Sequence, residues 1–273
     1  MKIKEVYCKS ALSPSALSGI DYSLNPYKGC SHACRYCYVP SVLHLPRDEW
    51  GSWVEVRINI PTVLSKELRK KKKGVVGIST VTDPYQYVEK KYKLTRYCLQ
   101  ELLKKDFPIS LQTKSDLILR DVELIEGFKD VEVGITISTM KDDERKLLEP
   151  NAPPIERRFF ALRELSKKVK TYAFLGPLYP TIEKEDVEEF VARLADAGVG
   201  IVIVDDLHLK EGVWESIERA LENEKELLKL FKERLFDDKN YYPSIFEQIK
   251  KTCDRYGLKF ERENSTSDRM FLL

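Results

Sequence analysis

Three of the six cysteines stand within eight residues, as Cys30-Ser-His-Ala-Cys34-Arg-Tyr-Cys37. Gaps of three and two residues let three thiolates converge on one metal centre from a single loop. Gly29 before the loop suits a tight backbone approach. Three readings compete. A structural zinc site takes four Cys or His ligands, usually as two separated pairs. Here the fourth would have to be His32, His44 or Cys8, none at a pair spacing. A [4Fe–4S] cluster is usually held by four cysteines. Held by three, it keeps one iron open, and an open metal position marks a catalytic rather than a structural site. The third reading is chance clustering of structural thiols, which intracellular cysteine usage disfavours.

Other elements must hold that loop and whatever it binds. From residue 75 on, short apolar runs alternate with amphipathic stretches. Residues 75–80, 109–114, 131–138, 171–175 and 200–204 read as strands. Residues 94–105, 117–128, 155–169 and 183–197 read as helices, the first with Leu94, Cys98, Leu99, Leu102 and Leu103 on one side. Repeated strand–helix units imply a parallel sheet with right-handed crossovers. Nearly continuous apolar strands imply cover on both faces. One strand before residue 30 brings the count to six, a partial (β/α)6 TIM-like barrel of parallel strands with a helical C-terminal extension. The boundaries are 1–212 for the barrel, with the cysteine loop at 30–37, and 213–273 for the extension, packed on it in a single domain. Helices are expected there over 215–235 and 244–256. In such chains chemistry gathers at the C-terminal ends of the strands. That nominates Thr82, Asp83, Lys114, Ser138, the segment 176–179, and Asp205 with Asp206.

Composition bounds the function classes. The 273 residues hold 46 Lys plus Arg against 44 Asp plus Glu, a net charge of +2. That excludes a histone-like binder but leaves room for a local basic patch. Residues 1–74 carry 13 Lys and Arg against 6 acids, a net +7, whereas 205–273 carry 13 against 16. Lys70-Lys71-Lys72-Lys73 before Gly74 reads as the solvated end of a helix, with a nucleic-acid patch as the sharper alternative. A hydrophobic share of 42% excludes a disordered chain, and this length buries a core without disulfides. The longest apolar run, 199–204, is far short of the roughly 20 residues that span a bilayer, and the N-terminus lacks a signal-peptide core. The expectation is a cytoplasmic monomer with no membrane partner. Abundant Lys and Glu with scarce Asn and Gln suit a thermophile.

The cysteine loop, with an aromatic residue before its third cysteine, resembles the radical S-adenosylmethionine superfamily. The wider context resembles its spore photoproduct lyase-like branch, often labelled DNA repair photolyases. The matching residues are Asn25-Pro-Tyr-Lys-Gly-Cys-Ser-His-Ala-Cys-Arg-Tyr-Cys-Tyr38, Ser79-Thr-Val-Thr-Asp-Pro-Tyr-Gln86, Thr113-Lys114, Ile135-Thr-Ile-Ser138 and Glu149-Pro150, over residues 17–205. The resemblance implies a [4Fe–4S] cluster on Cys30, Cys34 and Cys37, with S-adenosylmethionine chelated by the open iron. An external one-electron reductant then drives cleavage to methionine and a 5′-deoxyadenosyl radical, which abstracts hydrogen from the substrate.

The same resemblance implies the cofactor contacts. Tyr38 would set its backbone near the adenine, with plain packing as the alternative. Thr82 and Asp83 stand where many members carry Gly-Gly-Glu to hold the methionine ammonium. A hydroxyl and a carboxylate both accept from an ammonium, although Asp-Pro is also a common turn starter. Lys114 would meet the methionine carboxylate, against a surface pairing with Asp116. Ser138 would bond the carboxylate or ribose. One departure matters. Spore photoproduct lyases proper use a cysteine near the end of the second strand as hydrogen donor, and Thr80 stands in that place here. A hydroxyl O–H is much harder to break homolytically than a thiol S–H. Thymine-dimer repair by that route is therefore not expected, and the substrate stays open, with nucleic acid among the classes. Cys8, Cys98 and Cys253 read as inert thiols. His32 reads as loop structure, and His44 and His208 as lone structural histidines. Asp205-Asp206 reads as a solvated turn or a substrate contact. The competing function is a non-catalytic zinc or iron–sulfur module binding nucleic acid through the basic N-terminal third.

Overall fold

The computed structural model describes residues 1–17 and 19–263. Its strands are β1 (Lys2–Val6), β2 (Leu12–Pro14), β3 (Tyr22–Leu24), β4 (Tyr27–Lys28), β5 (Trp53–Arg57), β6 (Val76–Ile78), β7 (Ile109–Thr113), β8 (Val131–Thr136), β9 (Thr171–Leu175), β10 (Ile201–Val204) and β11 (Lys259–Arg262). Eight of them form one sheet in the order β11-β10-β9-β8-β7-β6-β3-β2. Every neighbouring pair is parallel except β2 with β3. This is the mixed α/β sheet of an open, partial barrel. Strands β6 and β9 are buried at every position, which is why they read as unbroken apolar runs.

Helices cover the sheet. Leu94–Lys104 buries Leu94, Cys98, Leu99 and Leu102, and Lys184–Asp196 buries Val187, Phe190, Val191 and Leu194. Each such side chain contributes roughly 1.5–3 kcal/mol on leaving water. A capping box between Glu183 and Asp186 starts the second of these helices by satisfying end amides.

Three features differ from the sequence expectation. The parallel run has seven strands, because β11 in the tail pairs with β10, Ile201 opposite Lys259. The sequence Lys-Phe-Glu-Arg has no apolar run, so only the partner strand reveals it. The helix expected over 117–128 is a 3-10 turn, Asp116–Asp121, followed by the short helix Val122–Glu126. It breaks at Asp121, whose fully buried carboxylate takes Arg96 at 2.5 Å and Arg120 at 2.7 Å. The long helix expected over 215–235 is two helices, Val213–Ala220 and Lys225–Lys232, followed by a π-turn. Among the described residues no helix is long and apolar enough to cross a membrane.

A second, three-stranded sheet positions the cysteine loop. β5 pairs parallel with β1 and antiparallel with β4, Tyr27 opposite Val56. The chain leaves β4 at Lys28 and enters Gly29 and Cys30 directly.

Candidate active site

The loop's path is fixed by residues far away in sequence. Gly29 has φ +85°, and a Cβ there would come 2.6 Å from the Trp53 carbonyl oxygen, so no side chain fits. Gln86 donates from Nε2 to the Gly29 carbonyl at 3.1 Å and to Thr82 Oγ1 at 2.8 Å, and its Oε1 accepts from Ser31 N at 2.8 Å. Thr82 Oγ1 donates to the Gly29 carbonyl at 2.6 Å. On the other side Asn151 Nδ2 donates to the Ser31 carbonyl at 3.0 Å, and Arg35 N to the Leu148 carbonyl at 2.8 Å. Gln86 lies within a motif quoted above, but Asn151 carried no sequence signal, because its role exists only once the turn after the helix Asp142–Leu148 meets the loop.

Cys30, Cys34 and Cys37 line one cavity of about 420 Å³, together with Tyr38, Thr82, Asp83 and Lys114. Cys30 and Cys34 are buried and Cys37 half-buried. Burial pushes each of the three thiols up to about 12, with Asp83 adding to the rise at Cys30 and Cys34 adding to it at Cys37. Uncoordinated, they are neutral thiols at pH 7. Cys98 is fully buried in the core, as the sequence suggested.

Asp83 is engaged on all sides. Its Oδ1 accepts from Tyr85 N at 2.8 Å and Thr113 Oγ1 at 2.7 Å. Its Oδ2 accepts from Lys114 N at 3.0 Å and lies 3.4 Å from His32 Nδ1. Burial lowers the His32 pKa against the pull of Asp83. Lys114 is half-buried, its Nζ 5.7 Å from the Tyr36 ring centroid. Burial disfavours its charge, but Cys34 and Glu149 outweigh that and raise its pKa. It has no ion-pair partner among the described residues; Asp116 instead binds Arg157. Tyr38 Oη donates to the Thr80 carbonyl at 3.4 Å.

Ser138 is placed elsewhere. It is buried behind Tyr36, whose Oη lies 3.5 Å from Ser138 Oγ, and β8 offers Thr136 to the cavity instead. Beneath the loop, Tyr36 Oη and Arg158 both bond the Glu149 carboxylate, and all three are buried. Burial opposes ionisation of Glu149, but Arg158 and Lys114 hold it down at about 2.

The opposite wall carries Asp205, Asp206, His208 and Glu263. His208 Nε2 lies 3.1 Å from Asp205 Oδ1 and 3.2 Å from Asp206 Oδ1, so it is not the lone histidine the sequence suggested. Burial, then Asp205 and Glu261, push Glu263 up to about 8.

Residues 24–194 match the family model of the Radical SAM superfamily. The chain belongs to this superfamily. Relatives similar to it include an uncharacterized protein of Methanocaldococcus jannaschii, 37% identical over 71% of this chain and 73% of its own length. An uncharacterized protein of Mycobacterium tuberculosis is 33% identical over 76% of this chain and 65% of its own. Among solved structures, spore photoproduct lyase complexed with dinucleoside spore photoproduct superposes with a TM-score of 0.67 at 12% identity, over 94% of this chain and 81% of the other. Streptococcus suis SuiB bound to its precursor peptide gives 0.56 at 14%, over 97% and 49%. The chain is therefore an enzyme of the radical SAM type with the partial-barrel fold. The family implies S-adenosylmethionine and an iron–sulfur cluster as cofactors.

Proposed function

We propose that Cys30, Cys34 and Cys37 hold a [4Fe–4S] cluster, that S-adenosylmethionine lies in the cavity with its methionine end toward Lys114, and that the substrate approaches from the wall of Asp205 and Asp206. The observation that carries this reading is the meeting of three thiols, two buried and one half-buried, and an ammonium without an ion-pair contact among the described residues on one cavity. Thiols pushed up to about 12 become thiolates only when a cationic centre displaces their protons. A structural zinc needs a fourth Cys or His ligand, whereas His32, the histidine inside the loop, has its Nδ1 3.4 Å from Asp83.

When reduced by an external one-electron donor, the bound cluster supplies cleavage of the sulfonium bond and so a 5′-deoxyadenosyl radical for hydrogen abstraction. The chain's own residues bind and orient. Lys114 stays charged and offers N–H donors to the methionine carboxylate. Thr82 has its proton committed to Gly29 but keeps a lone pair for the ammonium. Asp83 aligns the ends of β6 and β7 through Thr113 and Lys114 N while adding negative charge nearby. The Tyr38 ring is anchored at Thr80, beside the region assigned to adenine. Ser138 has no part in this arrangement. Thr80 lines the cavity with its hydroxyl accepting from Asn25 at 3.3 Å. It gives no thiol to return a hydrogen atom, so the repair route of the lyases is not assigned to this chain.

Anaerobic reconstitution should give about four iron and four sulfide per chain. Dithionite should then release 5′-deoxyadenosine and methionine, and Cys37→Ala should abolish both. A loaded cluster that yields neither product, or one zinc and no iron, would overturn the reading.

A further inference from the structure

The two banks of the cavity come from distant parts of the chain. One is the cysteine loop with the short helix Val39–Val42. The other is the segment 205–212, which leaves β10 and enters the helix Val213–Ala220. Arg47 joins them. Its Nη1 donates to the Cys37 carbonyl at 2.8 Å. Its Nη2 donates to Ser41 Oγ at 2.7 Å and to the Glu211 carbonyl at 3.3 Å. Ser41 Oγ in turn donates to the same Glu211 carbonyl at 2.8 Å. Gly212 beside it has φ +73°, and a Cβ there would lie 3.0 Å from Arg47 Nε. The half-buried guanidinium has no ion-pair partner among the described residues, so its fork is spent on two carbonyls and a hydroxyl. Only a planar fork reaches all three at once.

We propose that Arg47 is a positioning residue: a clasp that fastens segment 205–212 to the carbonyl of Cys37 and keeps the cavity closed over the cysteine loop. The inference rests on the reading of Cys37 as a cluster ligand. Asp205 is fixed separately, through backbone bonds with Leu175 and Leu178, and Leu207 is buried, so releasing the clasp frees the stretch 208–211, which carries His208 of the cavity lining. The segment is otherwise exposed at residues 208–211, and an exposed segment held by few hydrogen bonds opens locally at small cost.

Two readouts other than turnover test it. The first is tryptic cleavage after Lys210 in the chain without its cluster, followed by mass spectrometry. The second is the rate at which the reconstituted cluster loses its visible absorbance in air. Arg47→Gln should accelerate both by about tenfold, as loss of one or two net hydrogen bonds predicts. Arg47→Lys, which keeps the charge without the fork, should fall between. Ser41→Ala, a milder change, should act in the same direction if Arg47→Gln folds poorly. Arg255→Gln, which removes a surface ion pair with Glu188, should change neither rate. Wild-type rates in Arg47→Gln overturn the clasp, and so does faster cleavage without faster bleaching. If the wild-type chain takes up no iron, the proposed function fails, and the proteolysis still reads the clasp by itself.

Discussion

Lys114 is the residue on which cofactor binding turns. Its cation lines the cavity with Glu149 and Asp83 favouring its charge from a distance but with no carboxylate in ion-pair contact among the described residues, so a bound anion can make that contact. Removing a charge-assisted hydrogen bond of this kind costs about 1.5–3 kcal/mol. Lys114→Met should therefore raise the S-adenosylmethionine dissociation constant by about 10- to 150-fold, while iron content and visible spectrum stay unchanged. Equilibrium binding to the reconstituted protein checks this. Glu149 tests the buried network under the loop. Its folded carboxyl titrates at about 2 against 4.5 for the free group. The stability it contributes is thus complete above pH 4.5 and drains away as pH falls toward 2. Glu149→Gln should flatten that acid limb. At pH 7 it should cost about 3–5 kcal/mol, because Arg158 is left buried without its counter-charge. Urea unfolding at pH 7 and pH 3 measures both. The cysteines were legible because their spacing is local. The Glu149–Arg158 pair was not, because two charges nine residues apart gain meaning only when both are buried.

At the scale of elements, the cysteine loop is less a free loop than a segment pinned by Gln86, Thr82 and Asn151. Gln86 bonds it at Gly29 and Ser31 and bonds the second pin, Thr82. Gln86→Leu leaves Ser31 N without its partner, at about 1–3 kcal/mol for a buried donor, while the Gly29 carbonyl keeps Thr82. Iron bound per chain should fall well below the wild-type value while the far-UV dichroism holds. Unchanged iron would mean that β4 and Asn151 position the loop without it. The strands and most helices were legible because burial on one or both faces writes a period into the sequence. β11 was not, since an edge strand of mixed charge carries no such pattern. Nor was the break at Asp121, which depends on Arg96 arriving from the helix Leu94–Lys104 to join the neighbouring Arg120.

Across the whole molecule, charge and chemistry sit at opposite ends of the sheet. The lysine run 70–73 precedes β6, where Lys73 pairs with Asp106 and Lys71 lies 5.1 Å from the Tyr22 ring centroid. The cavity opens at the other end of that strand. Replacing Lys70, Lys71 and Lys72 with Gln should leave S-adenosylmethionine cleavage within about twofold of wild type, since exposed charges beyond a Debye length are screened. A larger loss, measured as 5′-deoxyadenosine formed, would tie the basic run to the reaction. The sequence by itself determined the repeated strand–helix architecture, the three-cysteine loop and the identity of Lys114, Thr82 and Asp83 as strand-end groups. All of these follow from spacing along one chain. Only the tertiary structure decided that Ser138 lies behind Tyr36, that His208 joins Asp205 and Asp206, and that Arg47 bridges Cys37 to Glu211. The first and the last are contacts between segments up to 164 residues apart, and no local pattern encodes a distance that exists only after the sheet has curled; the His208 pairing spans three residues and depends on the path the chain takes on leaving β10.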